Sequence, residues 1–233
     1  MNTPDRSIPV LKAEQLTKTW PTPTGKLDVL KGITLDLFQG ESLAIIGPSG
    51  SGKSTLLSLL GTLDRPTTGR LTIGGTDIAT LSDYELSRWR GRSLGIIFQQ
   101  FHLMPSLTAL ENVALPLEIA GHANPRSLAK EALREVGLSA RLDHLPSALS
   151  GGECQRVAIA RAIVTTPSLL LADEPSGSLD PETGKQIADL LFQVSTRHGM
   201  TMILVTHNMD LARRCKRVFI MKDGRLEEQA NQN

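Results

Sequence analysis

The chain has only two cysteines in 233 residues, Cys154 and Cys215, with neither metal-ligand nor C-x-x-C spacing. They offer no zinc or redox motif, and a reduced, cytoplasmic compartment is the expectation. It has almost no net charge. Twenty-five Lys and Arg against 24 Asp and Glu give +1, so bulk electrostatics recommends neither nucleic acid nor anionic lipid as a partner. No apolar run approaches the ~20 residues that span a bilayer, so work at a membrane needs another chain to supply the span. The first residues, Met1-Asn-Thr-Pro-Asp-Arg, carry no apolar stretch after their charge, and no signal peptide is expected. Internal repeats, low-complexity linkers, heptad runs and basic patches are also missing. What remains is ample core material, 40% hydrophobic, at a length that suits one large α/β domain or two small ones.

Against these absences stands one dense motif, Gly47-Pro48-Ser49-Gly50-Ser51-Gly52-Lys53-Ser54-Thr55. It fits the phosphate-binding loop pattern closed by Lys and a hydroxyl residue. Its glycines let the backbone turn tightly, so that N–H groups point at phosphate oxygens. Lys53 adds a charge for the outer phosphates, and Ser54 offers an oxygen to Mg2+. Leu43–Ile46 reads as a buried strand feeding the loop and Ser54–Leu60 as the helix leaving it, which sets the phosphates on a helix N-terminus. A plain Gly/Ser-rich turn would need neither flank. A nucleoside triphosphate is therefore the expected ligand.

From about Val10 to Gly75 the pattern is mostly strands around this loop, with Leu71–Gly75 a strand ending in a tight turn. The middle is helical. Thr108-Ala-Leu-Glu111 is a capping box, and Leu110, Val113, Ala114 and Leu117 follow with helical spacing. Pro116 is expected to kink or end that helix. A second helix runs from Ser127 to Val136, with Leu128, Ala132, Leu133 and Val136 on one side and Gly137 as its stop. The last third alternates strand and helix, with strands at 169–172, 202–205 and 218–221. Asp173-Glu174 and Thr206-His207 follow two of these strands at once, where ligands of open α/β sheets bind. Asp173, after four apolar residues, suits Mg2+, held in part through water, while Glu174 can orient or deprotonate a water in line with the γ-phosphate.

Leu149-Ser150-Gly151-Gly152-Glu153 opens a further helix at a turn rich in backbone N–H groups, a second anion-suited N-terminus. One nucleotide cannot readily use both N-termini of one chain. With the phosphate loop, this turn resembles the signature of the ATP-binding cassette (ABC) family, and the resemblance spans essentially the whole chain. It implies a single cassette over 1–233: a P-loop NTPase of α/β class with a RecA-like core, an antiparallel β subdomain and an α-helical signature subdomain at about 100–165. It also implies ATP and Mg2+ as ligands. Trp20 lies where the family stacks an aromatic ring on adenine. Gln99 matches the glutamine that reaches Mg2+ and the attacking water, and His207 the histidine at the γ-phosphate. Glu174, His207 and Gln99 are thus the implied catalytic residues. Ser54, Gln99 and Asp173 are the implied metal ligands. The family pairs two cassettes head to tail around two ATP molecules, so Ser150, Gly151, Gly152, Glu153 and Asp180 would serve the partner's ATP. Such closure is a ligand-driven switch. Cys154 and Ser176-Gly-Ser178 depart from the family's more common residues.

Leu60–Gly69, Leu107–Val113 and Arg141–Pro146 are similar to ATP-binding subunits of lipoprotein-release and macrolide-export systems. The last of these, with Gln186–Phe192, resembles the stand-alone YbbA-like subunit. The resemblance implies a separate integral-membrane permease and a place on the cytoplasmic face of the inner membrane, with no nucleic-acid partner. The apolar stretch 98–105 is either the permease contact or part of the helical core. An importer subunit is the alternative within transport, and a soluble ABC ATPase of translation or repair the alternative outside it. Cys154, one turn into the signature helix, is either a thiol activated by that N-terminus or a packing cysteine.

Overall fold

A computed structural model describes residues 8–23 and 25–229. Strands β1 (Leu11–Thr22) and β2 (Gly25–Leu37) form an antiparallel hairpin, with Leu11 opposite Leu37 and Trp20 opposite Leu27. β4 (Thr68–Ile73) pairs with the other edge of β1, and the short β5 (Thr76–Asp77) closes the sheet in the order β2-β1-β4-β5. Leu11, Ala13, Leu35, Leu37, Leu71 and Ile73 point inward with the period of two that a one-sided sheet requires.

The second sheet has the order β10-β9-β3-β8-β7-β6. It comprises β3 (Ser42–Ile46), β6 (Leu94–Ile97), β7 (Leu169–Asp173), β8 (Thr201–Val205), β9 (Arg217–Lys222) and β10 (Arg225–Gln229). Its pairs are parallel except for β10 on β9. Continuous apolar runs make sense here because both faces are covered. Leu43, Ile45, Leu169, Leu171, Ile203 and Val205 face one core, shared with the first sheet and with α1 (Lys53–Leu60). Ala44, Ile46, Leu170, Ala172, Met202 and Leu204 face the other. That second core is built with α3 (Ala109–Ile119), α4 (Pro125–Glu135), α5 (Gly151–Ile163) and α6 (Pro181–Arg197). Each such Leu or Ile contributes about 1.5–3 kcal/mol by leaving water. The remaining α-helices among the described residues are α2 (Asp83–Ser93) and the short α7 (Met209–Ala212).

Two local readings are narrowed or corrected. Of the kink or end expected at Pro116, the end does not occur: α3 continues to Ile119, and Ala120 N–H reaches the Pro116 carbonyl at 3.0 Å. The missing N–H falls in the last turn, while Val113, Ala114 and Leu117 anchor the helix in the core. Leu128 does not share the inner face of α4. That face is Ala129, Ala132, Leu133 and Val136, and Leu128 is 42% exposed, one position out of helical phase. Gly137 ends the helix as read, at φ 78° with its N–H on the Arg134 carbonyl.

Candidate functional site

The loop between β3 and α1 requires glycine at two places. Gly47 has φ 152°, and a Cβ there would stand 2.2 Å from the Met221 carbonyl oxygen. Gly52, at φ 106°, caps α1 with its would-be Cβ 3.2 Å from the Val29 carbonyl. Only a bare backbone can follow this path so close to β9 and β2. Lys53 Nζ bends back over the loop and donates to the carbonyls of Gly47 (2.8 Å) and Pro48 (2.9 Å). The ammonium is thus stationed above the loop, near where outer phosphates would lie.

The neighbouring strands bring the acids. β7 pairs with β8 in register, Asp173 opposite Val205, so both strands release their polar ends at one level. Asp173 lines the same cleft as Ser54 and Lys53. Burial, helped by the neighbouring Glu174 charge, raises its pKa above the ordinary Asp value, while Lys53 and Ser54 pull the other way. Glu174 takes a left-handed backbone, φ 45°, unusual for a side chain with a Cβ. It is held there by its N–H on the Val205 carbonyl (2.9 Å) and by Gly177 N–H on its own carbonyl (2.9 Å). Such a conformation costs roughly 1–3 kcal/mol and is tolerated where the surroundings fix it. It sends the carboxylate to β8: Oε1 lies 2.7 Å from His207 Nδ1, and Oε2 accepts from Thr206 Oγ1 at 3.3 Å. Since a carboxylate only accepts, Nδ1 carries the proton.

These groups share one cleft of about 480 Å³, lined by Gly47, Ser49, Gly50, Gly52, Lys53, Ser54, Thr55, Val29, Gln99, Asp173, Glu174 and His207. Pro48 and Ser51 belong to the loop without lining the cleft. The Ser51 hydroxyl is buried and unpartnered. Gln99 is exposed just beyond β6, and its carbonyl accepts from Ser178 Oγ at 3.1 Å.

The other residues singled out from the sequence stand apart from this cleft. Trp20, 44% exposed on β1, has Lys18 Nζ 4.3 Å from its ring centroid. Ser150 caps α5. Its hydroxyl accepts from Glu153 N–H (3.2 Å), and its N–H donates to Glu153 Oε2 (2.8 Å). Glu153 Oε1 accepts from Arg141 Nε at 2.8 Å, and the Ser150 and Arg141 bonds hold its carboxyl below the usual Glu range. Both Glu153 oxygens are therefore committed within the chain. Gly151 and Gly152 form the first turn of α5. Asp180 caps α6 through Thr183 N–H (3.0 Å) and lines an adjoining hollow with Glu174 and His207.

Cys154 is not an activated thiol. It is 6% exposed, and burial, then Glu153, raises its pKa. Cys215 is pushed up to about 12 by burial. In the stretch 98–105, Met104 is exposed and Phe101 and Leu103 are half-buried. Sequence reasoning passed over three supports. Arg161 donates to the carbonyls of Phe101 (2.9 Å) and His102, fixing the segment after Gln99. Thr206 steadies Glu174, and Arg141 steadies Glu153. Only Thr206 had a local signal, its place directly after an apolar strand.

A phosphate loop at the head of a mostly parallel sheet, with acids at the next strand ends, defines a fold of the P-loop NTPase class. The ABC transporter family model matches residues 30–177. The chain is 49% identical to the lipoprotein-releasing system ATP-binding protein LolD of Alcanivorax borkumensis, over 95% of this chain and 98% of that one. It is 46% identical to the macrolide export ATP-binding/permease protein MacB of Rhodopirellula baltica, over 93% of this chain but 32% of that one. Among solved structures it resembles the dimeric ATP-binding cassette MJ0796 in a post-hydrolysis state with ADP and Pi. The TM-score is 0.87 and the identity 41%, covering 94% of this chain and 97% of that chain. The chain belongs to the ABC transporter family, as an ATP-binding cassette. Among the described residues no helix is long and apolar enough to cross a membrane.

Proposed function

We propose that the chain binds and hydrolyses ATP in the cleft of Lys53, Asp173 and Glu174 and thereby powers a separate membrane permease. The observation that carries this is the convergence of Lys53, Ser54, Gln99, Asp173, Glu174 and His207 from the ends of four strands, β3, β6, β7 and β8, into one space. The loop N–H groups and Lys53 bind the phosphates, and Trp20 stacks on the base. The oxygens of Ser54 and Asp173, which line one cleft with Gln99, are hard ligands of the kind Mg2+ takes. Among the described residues no cluster of three or more His, Cys, Asp or Glu forms a cage, and Mg2+ shared with phosphates needs none. The ion would neutralise charge on the phosphate oxygens. Glu174, aimed by His207 and Thr206, positions the attacking water and accepts its proton. A phosphate oxygen has no proton to give His207 Nε2. Contact there therefore requires the imidazolium, or release of Nδ1 from Glu174.

A second copy completes the site. Ser150, Gly151, Gly152 and Asp180 lie outside the cleft of their own chain and would close on the partner's ATP. The Ser150 hydroxyl accepts within its own chain and keeps its proton for that phosphate. Glu153 supports this turn as its capping partner. The cassette is one domain over 1–233 with its helical part at about 100–165. Its likeness to lipoprotein-release and macrolide-export proteins favours a permease of that type, which would hold the chain at the cytoplasmic face of the inner membrane. Purified Glu174→Gln should keep ATP affinity and lose turnover by about 10²-fold or more, the scale of a positioned base. Near-normal turnover would reject the role given to Glu174.

A further inference from the structure

Lys18 is a charged residue held almost out of solvent, 8% exposed on β1. A buried ammonium persists where other groups replace its hydration. Lys18 has three such groups. Its Nζ lies 2.6 Å from Asp64, donates to the Arg65 carbonyl at 2.8 Å, and stands 4.3 Å from the centre of the Trp20 ring. Packing alone would be met by a methionine. The ammonium is explained by what it joins.

Lys18 and Trp20 share one face of β1, two residues apart. Asp64 follows the end of α1, the helix that begins at Lys53. Segment 64–65 is itself pinned, by Arg65 to the Leu81 carbonyl and to Asp83, both at 2.9 Å. An indole on a strand edge, 44% exposed, would otherwise sample several rotamers, and ordering it on binding weakens affinity. A cation over one ring face restricts the indole and leaves the opposite face for a ligand.

We infer that Lys18 is a positioning residue for the nucleotide base. It holds Trp20 from one side for stacking on the other, and through Asp64 it ties that ring to the helix carrying the phosphate loop. The inference rests on the reading of Trp20 as the base-stacking residue. Lys18 touches neither base nor phosphate in this account.

The test uses a Trp89→Phe background, which leaves Trp20 as the single tryptophan of the two in the chain. Affinities for ATP and for inorganic tripolyphosphate are measured in Lys18→Met, Lys18→Arg and Trp20→Ala, with Trp20 emission recorded where the ring remains. Lys18→Met should shift Trp20 emission and weaken ATP binding about five-fold, the scale of a partly desolvated cation–π contact. Tripolyphosphate binding should not change, and Lys18→Arg should restore most of the ATP affinity. Weaker ATP binding in Trp20→Ala but not in Lys18→Met would overturn the positioning role and leave stacking intact. Unchanged ATP affinity in Trp20→Ala would overturn both. Equal weakening of ATP and tripolyphosphate in Lys18→Met would place Lys18 in the fold or the phosphate loop and overturn the inference. If Lys18→Met does not fold, Lys18→Met/Asp64→Asn removes both charges and carries the same comparison.

Discussion

Asn112 is fully buried in α3 and ties down the chain between Met104 and Thr108. Its Oδ1 accepts from Met104 N–H at 2.8 Å, and its Nδ2 donates to the carbonyls of Met104 (3.1 Å), Leu107 (2.9 Å) and Thr108 (3.0 Å). Replacing it with alanine does not orphan all four groups. The Met104 carbonyl still accepts from Leu107 N–H, and the Thr108 carbonyl from the residue-112 N–H. Met104 N–H and the Leu107 carbonyl lose their partners. Each unsatisfied buried group costs about 1–3 kcal/mol. Met104 is at the surface, so water reaches part of the segment and the lower end applies, about 2 kcal/mol in total. For a domain of this size that lowers Tm by about 4–8 °C. Differential scanning calorimetry of Asn112→Ala measures it directly. ATP affinity should be kept, because the segment lies outside the phosphate cleft. A Tm within 1 °C of the parent would refute the clamp, and a loss of ATP affinity would refute its independence of the cleft.

Asp173 gives a pH dependence. Its pKa is raised in the folded chain, so folding binds a proton more tightly than unfolding does. Stability from this group therefore falls as pH rises from the ordinary Asp value, about 4, through the folded value, and is level above it. Mg2+-dependent ATP affinity runs the other way, weakening as pH falls through the same window. Asp173→Asn should flatten this limb in a titration of affinity against pH, and an unchanged limb would assign it elsewhere. The thiols of Cys154 and Cys215, both buried with raised pKa values, should react slowly with a maleimide at pH 8 and readily after denaturation. Timed labelling read by mass spectrometry checks this, and fast native labelling of Cys154 would contradict its burial.

The parts of the molecule legible in the sequence were those written by local period or by a contiguous motif. Leu43–Ile46 and Leu169–Ala172 are unbroken apolar runs because both sheet faces are covered. The capping box Thr108/Glu111, four residues long, formed as read; Ser150/Glu153, read only as a turn at a helix start, is a second such box. Ser82/Glu85 is a third box, not singled out from the sequence although its signal was equally local. What was not legible depends on distance along the chain. Lys18 meets Asp64, 46 positions further along the chain, through the fold rather than through any pattern. Glu135 bonds Arg197 and His198 between α4 and the end of α6 in the same way. Neither tie follows a period. Leu128 was misplaced because the sequence around it fits two helical phases, and only the packing of Ala129 against the core selects one. Of the two readings of Cys154, the activated thiol rested on the helix N-terminus, and its burial, which decides for the packing cysteine, is not written in the local sequence.

The central claim is that ATP in the Lys53–Glu174 cleft is completed by Ser150 of a second copy. Light scattering of Glu174→Gln, with and without ATP, tests it most directly. The account predicts a monomer without nucleotide, a doubled mass with ATP, and a monomer again when Ser150→Arg is added while ATP still binds. A mass that stays monomeric with ATP bound to Glu174→Gln, or a dimer that survives Ser150→Arg, would contradict it.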